Sequence, residues 1–111
     1  VSPARQEEVR VIAVSTGRYK IGQVVATPGV VAALERTGQS PWEFVSRHIV
    51  GDWGIVDGQD KAANDQAVVD GSRILSAYLL GDGQTKVWVI TEAEDDHGRR
   101  AATTLLLPDE Y

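Results

Sequence analysis

Gly81-Asp82-Gly83-Gln84 stands between two runs of strand-forming residues, Arg73 to Leu80 and Thr85 to Thr91. An Asp-Gly pair in that position is one of the better short-range hairpin signals. Strand alternation then turns Val87, Val89 and Thr91 to one side and Trp88 and Ile90 to the other. Ala102 to Leu107 follows a polar loop from Glu92 to Arg100, and Pro108 stops it. The C-terminal third is therefore expected to be a three-stranded antiparallel meander.

Upstream, the chain is punctuated as helices. Thr27-Pro28 is a helix start, since threonine can accept a bond from an orphan amide and proline at the first helical position loses nothing. Val30, Val31 and Leu34 follow as an apolar stripe, and Gly38 ends it. Ser40-Pro41 repeats the signal, with Glu43 three residues after Ser40 offering a capping box and Gly51 closing the segment. A third helix is expected from Asp60 as cap to Gly71 as stop, polar on most of its surface. Ile21 to Ala26 is rich in β-branched residues and reads as a strand, and Val9 to Val14 as a strand or an ordered arm. The expected fold class is α+β: one strand, three short helices, then the meander, with the helices packed on one sheet face. Leu34, Phe44, Leu75, Trp88, Ile90 and Leu106 are the expected core at that interface.

Length and composition bound the rest. Residues 1–111 are expected to form a single domain, with 1–8 a flexible arm. There is no cysteine, so a disulfide scaffold, thiol catalysis and thiolate metal sites are excluded. The two histidines show no His-x-x-x-His pair, and Asp57-Gly58-Gln59-Asp60 lacks calcium-loop spacing, so neither metal nor cofactor is expected. The net charge of −5 disfavours direct duplex DNA binding. No apolar run approaches the roughly 18 residues of a membrane helix, and the start has no signal-peptide layout. A cytoplasmic protein without a membrane contact is the expectation.

Several segments together carry a resemblance: Val25-Ala26-Thr27-Pro28-Gly29, Gly38-Gln39-Ser40-Pro41, Arg47-His48, Gly51-Asp52-Trp53-Gly54, Ala63-Asn64-Asp65, Gly71-Ser72-Arg73-Ile74-Leu75-Ser76-Ala77-Tyr78, Trp88-Val89-Ile90-Thr91-Glu92-Ala93 and the end from Thr103 to Tyr111. Over about residues 21–111 the chain resembles a family of short bacterial proteins found on plasmids and integrated mobile elements. These are usually called plasmid-related proteins, or labelled as a type I restriction methylase subunit. The chain has neither the glycine-rich cofactor loop nor the Asn-Pro-Pro-aromatic motif of a methyltransferase. What the resemblance implies is an accessory or interaction protein of a mobile genetic element. Family members usually enter the final strand through a tight Asp-Arg-Ser turn. Here the loop Glu94-Asp95-Asp96-His97-Gly98-Arg99-Arg100 is longer, and either Arg99 or Arg100 stands in for the family arginine.

Two functional readings follow. The favoured one is binding of a macromolecule, with a protein partner expected and a homodimer compatible with it. Its candidate residues are Asp52 and Trp53 in the Gly51–Gly54 turn, and Tyr78, Trp88, Thr91 and Thr104 as a polar and aromatic strip on the sheet. The alternative is a small ribonuclease-like toxin of barnase or RelE-type architecture, in which His48, Arg73 and Glu92 supply a base, a phosphate clamp and an acid. The ordinary reading of His48 is a packed helix histidine. That of Arg73 and Glu92 is a cross-strand ion pair, brought face to face far from the hairpin turn.

Overall fold

The computed structural model describes residues 17–111. Val9 to Val14 and the arm expected at 1–8 lie outside them. The elements run β1 (Gln23–Ala26), α1 (Pro28–Thr37), α2 (Pro41–His48), α3 (Gly58–Asp70), β2 (Ile74–Leu79), β3 (Lys86–Thr91) and β4 (Ala102–Leu106), then a 3₁₀ turn at Pro108–Glu110. The α+β class is as expected. The sheet is larger than a meander, because β1 joins β4 in parallel and gives a four-stranded mixed sheet of order β1-β4-β3-β2. Val24 pairs with Thr103 and Ala26 with Leu105 in that ladder. Gly22 makes the close approach feasible: at φ +63°, a Cβ there would lie 2.2 Å from the Arg100 carbonyl oxygen.

The hairpin forms where the sequence places it. Ser76 pairs with Val89 and Tyr78 with Val87, and Gly83 takes φ 72° in the turn. Asp82 organises that turn by accepting bonds from the Thr85 hydroxyl, the Thr85 and Gln84 amides and Arg36 of α1. Those donors, the Thr85 hydroxyl foremost, hold its carboxyl well below the usual carboxylate range.

Each helix opens on its own cap. Thr27 accepts from the Val30 amide, and Ser40 from Trp42. Glu43 completes no box with Ser40; its carboxylate accepts instead from the Gln39 side chain at 2.9 Å. The third helix starts before its expected cap. Asp57 is the N-cap, accepting from the Asp60 amide at 2.8 Å, and Gly58 is already helical.

The main core lies between α1, α2 and one sheet face. It holds Val30, Leu34, Phe44, Val45, Tyr78, Val87, Val89 and Leu105. Leu34 and Phe44 are buried there as expected. Leu75, Trp88, Ile90 and Leu106 are not at this interface. The ladders pair Leu75 with Ile90 and Trp88 with Leu106, one residue out of step with Val87, Val89 and Leu105, so they point to the other face. Ile90 and Leu106 are buried on that face; Leu75 and Trp88 are only half-buried.

Candidate functional site

The short helix α2 sends Phe44, Val45 and His48 inward. His48 is fully buried. Its ring lies between β2 and β3, with Nδ1 2.5 Å from Ser76 Oγ and Nε2 2.8 Å from Thr91 Oγ1. Thr91 Oγ1 lies 2.7 Å from Thr103 Oγ1 on β4, and Thr103 donates to the Ile21 carbonyl at 2.8 Å. One polar chain thus crosses the sheet beneath the helices.

Counting protons along this chain fixes the histidine tautomer. A hydroxyl has one hydrogen to give. Thr103 gives its hydrogen to Ile21, so Thr91 must donate to Thr103. Nε2 must then carry the proton it donates to Thr91, which leaves Nδ1 bare to accept from Ser76. Every member is satisfied with the ring neutral. Burial, assisted by the charge of Arg100, lowers the His48 pKa to about 3. Tyr19 and Trp53 both meet the ring edge-on, and the Tyr19 hydroxyl donates to the His48 carbonyl at 2.7 Å.

Arg100 is the second buried polar group. Its guanidinium donates to the carbonyls of Ser72 and Glu92 and, at 3.0 Å, to Ala67 in the last turn of α3. A cation at the end where helix carbonyls lack partners is electrostatically favoured. Arg99 stays exposed. Of the two arginines left open by the sequence, Arg100 is the one built into the fold.

The remaining candidates divide by face. Trp53 is buried, and its indole N–H donates to Asp65 at 3.0 Å. Tyr78 is buried against Phe44, and its hydroxyl donates to the Asp52 carbonyl; burial pushes its pKa up to about 12. Thr91 belongs to the His48 chain. These three belong to the interior and offer no open binding strip. Asp52 is exposed and takes two bonds from Arg47, at 2.7 and 3.3 Å, with Arg47 also over the Tyr78 ring. That contact holds the Asp52 carboxyl below its ordinary range. Trp88 and Thr104 do share a surface, since Thr104 opposes Ile90 and Trp88 opposes Leu106 on the face away from the helices. Tyr111 meets the Trp88 ring edge-on, and Arg73 donates to the Tyr111 hydroxyl.

The three residues of the nuclease reading do not meet. His48 is sealed inside, while Arg73 and Glu92 are exposed. Arg73 and Glu92 also form no ion pair among the described residues. The β2–β3 ladder ends at Ile74 and Thr91, and Arg73 turns to Tyr111 instead. Sequence reasoning missed Ser76, Thr103, Tyr19 and Asn64. A signal existed for the first two: each is a polar residue on the same strand face as Ile74, Tyr78 or Leu105.

Among the described residues no group of three or more His, Asp and Glu side chains could hold a metal ion, and no helix is long and apolar enough to cross a membrane. Comparison with known proteins finds no family model, no curated protein and no solved structure that matches this chain.

Proposed function

We propose that this protein is a cytoplasmic accessory factor of a mobile genetic element that acts by binding another protein, not by catalysis. The observation that carries the reading is the contrast between its two polar clusters. The one histidine with a hydroxyl partner is sealed and neutral, so it neither meets a substrate nor exchanges a proton near neutral pH. The aromatic and cationic groups that do reach the surface, Trp88, Tyr111 and Arg73 beside Thr104, lie together on the sheet face without helices. Tryptophan, tyrosine and arginine are the side chains most enriched among the residues that anchor protein interfaces.

Charge supports a protein partner over nucleic acid. Arg18, Arg36 and Arg47 are each drawn to a carboxylate of the same chain, and Arg100 is spent on interior carbonyls. Asp57, Asp60, Asp65 and Asp70 meanwhile stand exposed in and before α3. A duplex backbone would meet repulsion there, and a basic protein surface would meet attraction. Capture from the native host, comparing the wild type with a variant blocked on the open face, tests the reading.

A further inference from the structure

We propose that two copies of this chain pair antiparallel along β1, joining their sheets into one continuous sheet.

The sheet has two edges, and the fold treats them differently. The β2 edge is largely covered, with only Leu79 of its outward-facing residues lacking a partner among the described residues. The Asn64 side chain takes both backbone groups of Leu75, and the Trp53–Ile55 segment takes both of Ala77. At the β1 edge, the Gln23 and Thr27 amides donate inward to the carbonyls of Ala101 and Leu105. Alternation turns the N–H and C=O of Val24 and Ala26 outward, and no described residue pairs with them. Edge strands are ordinarily defended by charge, proline or a bulge. The sequence Gln-Val-Val-Ala carries none of these, and Val25 is 39% exposed.

The occupant that fits this edge is a second copy. An antiparallel register centred on Val25 sets Val24 opposite the second copy's Ala26 and the reverse, which closes about four backbone bonds. The two Val25 side chains then meet at the centre as a non-hydrogen-bonded pair, where side chains are closest. Gln23 falls opposite Thr27, so no like charges face each other. Beyond the strand, Lys20 of each copy runs toward the end of the other that carries Glu110, which is fixed there by Thr27 and Gly29. An antiparallel pair therefore sets residues of opposite charge near each end of the joined strands. A four-residue ladder alone falls short of the roughly 1,000 Å² of a stable interface. The first turn of α1 carries the exposed Val31 nearby in sequence, and the pairing is expected to be weak and concentration-dependent.

Sedimentation of the full chain from about 1 to 500 µM tests this. The mass should rise from one chain to two across that range. Val25→Lys sets two cations against each other at the axis while keeping the inner ladder, and should abolish the rise. Because the chain has no cysteine, Val25→Cys should oxidise to a covalent dimer, whereas Gln23→Cys, placed opposite Thr27, should not. A single-chain mass throughout, whether the edge stays bare or is taken by the chain's own residues 1–16, overturns the proposal. So does a dimer that survives Val25→Lys, or crosslinking of Gln23→Cys in preference to Val25→Cys.

Discussion

Asn64 holds Leu75 by both of its backbone groups: its side-chain amide donates to the Leu75 carbonyl at 2.8 Å, and its oxygen accepts from the Leu75 amide at 3.2 Å. One side chain thus stands in for the strand that would otherwise lie beside β2. It also explains how α3 stays docked although only Asn64 and Ala67 of its residues are buried. Asn64→Ala should cost about 1–3 kcal/mol, because it leaves a partly buried donor and acceptor unsatisfied. Asn64→Asp should lose much of the same stability, since a carboxylate accepts from the amide but cannot donate to the carbonyl. Chemical denaturation measures both, and the Leu75 amide should exchange faster with solvent in each.

The buried histidine sets a pH dependence. An unfolded chain protonates His48 near its ordinary value of 6.5, whereas the folded chain keeps it neutral to about 3. Between those values the unfolded state binds more protons, so stability falls as the pH drops through that window, by about 1.4 kcal/mol per unit. The carboxylates of Asp52, Asp82 and Glu110, all lowered by their hydrogen bonds, add their own loss only near and below their ordinary values. The slope between about pH 6.5 and 5 therefore belongs to His48. Denaturation midpoints over that range should flatten in His48→Gln, which would also be less stable at pH 7.

The two late arginines should behave oppositely. Arg100→Met removes the donor shared by the carbonyls of Ala67, Ser72 and Glu92 and should cost about 2–4 kcal/mol. Arg99→Ala, at an exposed position, should change stability by less than about 0.5 kcal/mol. Thermal melts of the pair decide which arginine the fold uses.

Local chemistry was readable in advance and distant pairing was not. Asp82-Gly83 announces its hairpin because the turn is satisfied within a few residues. The same holds for Thr27-Pro28 and Ser40-Pro41. Asp57 and Asp60 are both good caps by residue type, and the choice falls to Asp57 because its carboxylate accepts from the Asp60 amide, which puts Asp60 inside the first turn. Nothing local says that β1 will lie beside β4, a partner some 80 residues away in sequence. The sheet faces were harder still. Apolar residues occupy both sides of β3, so alternation sorts Trp88 from Val89 without saying which faces the helices. Ser76, Thr91 and Thr103 share their strand faces with apolar core residues, but their polarity reads as a surface feature, which placed Thr91 in the expected binding strip. They are interior because His48 arrives from α2 to satisfy them, and that meeting depends on the whole fold.

The most direct test of the account is a quantitative comparison of partner capture from the native host by three folded proteins: wild type, His48→Gln, and a double variant of the open sheet face, Arg73→Glu with Thr104→Arg. The double variant places bulk and reversed charge beside the half-buried Trp88 and the exposed Tyr111, and creates no cavity in the helix-facing core. The account predicts the same protein bound by wild type and His48→Gln, at least a tenfold loss with the double variant (about 1.4 kcal/mol), and no RNA cleavage by any of them. Equal capture by the double variant would contradict the assignment of the face. Cleavage of RNA by purified wild type that disappears in Glu92→Gln or His48→Gln would contradict the central claim that this protein works by binding alone.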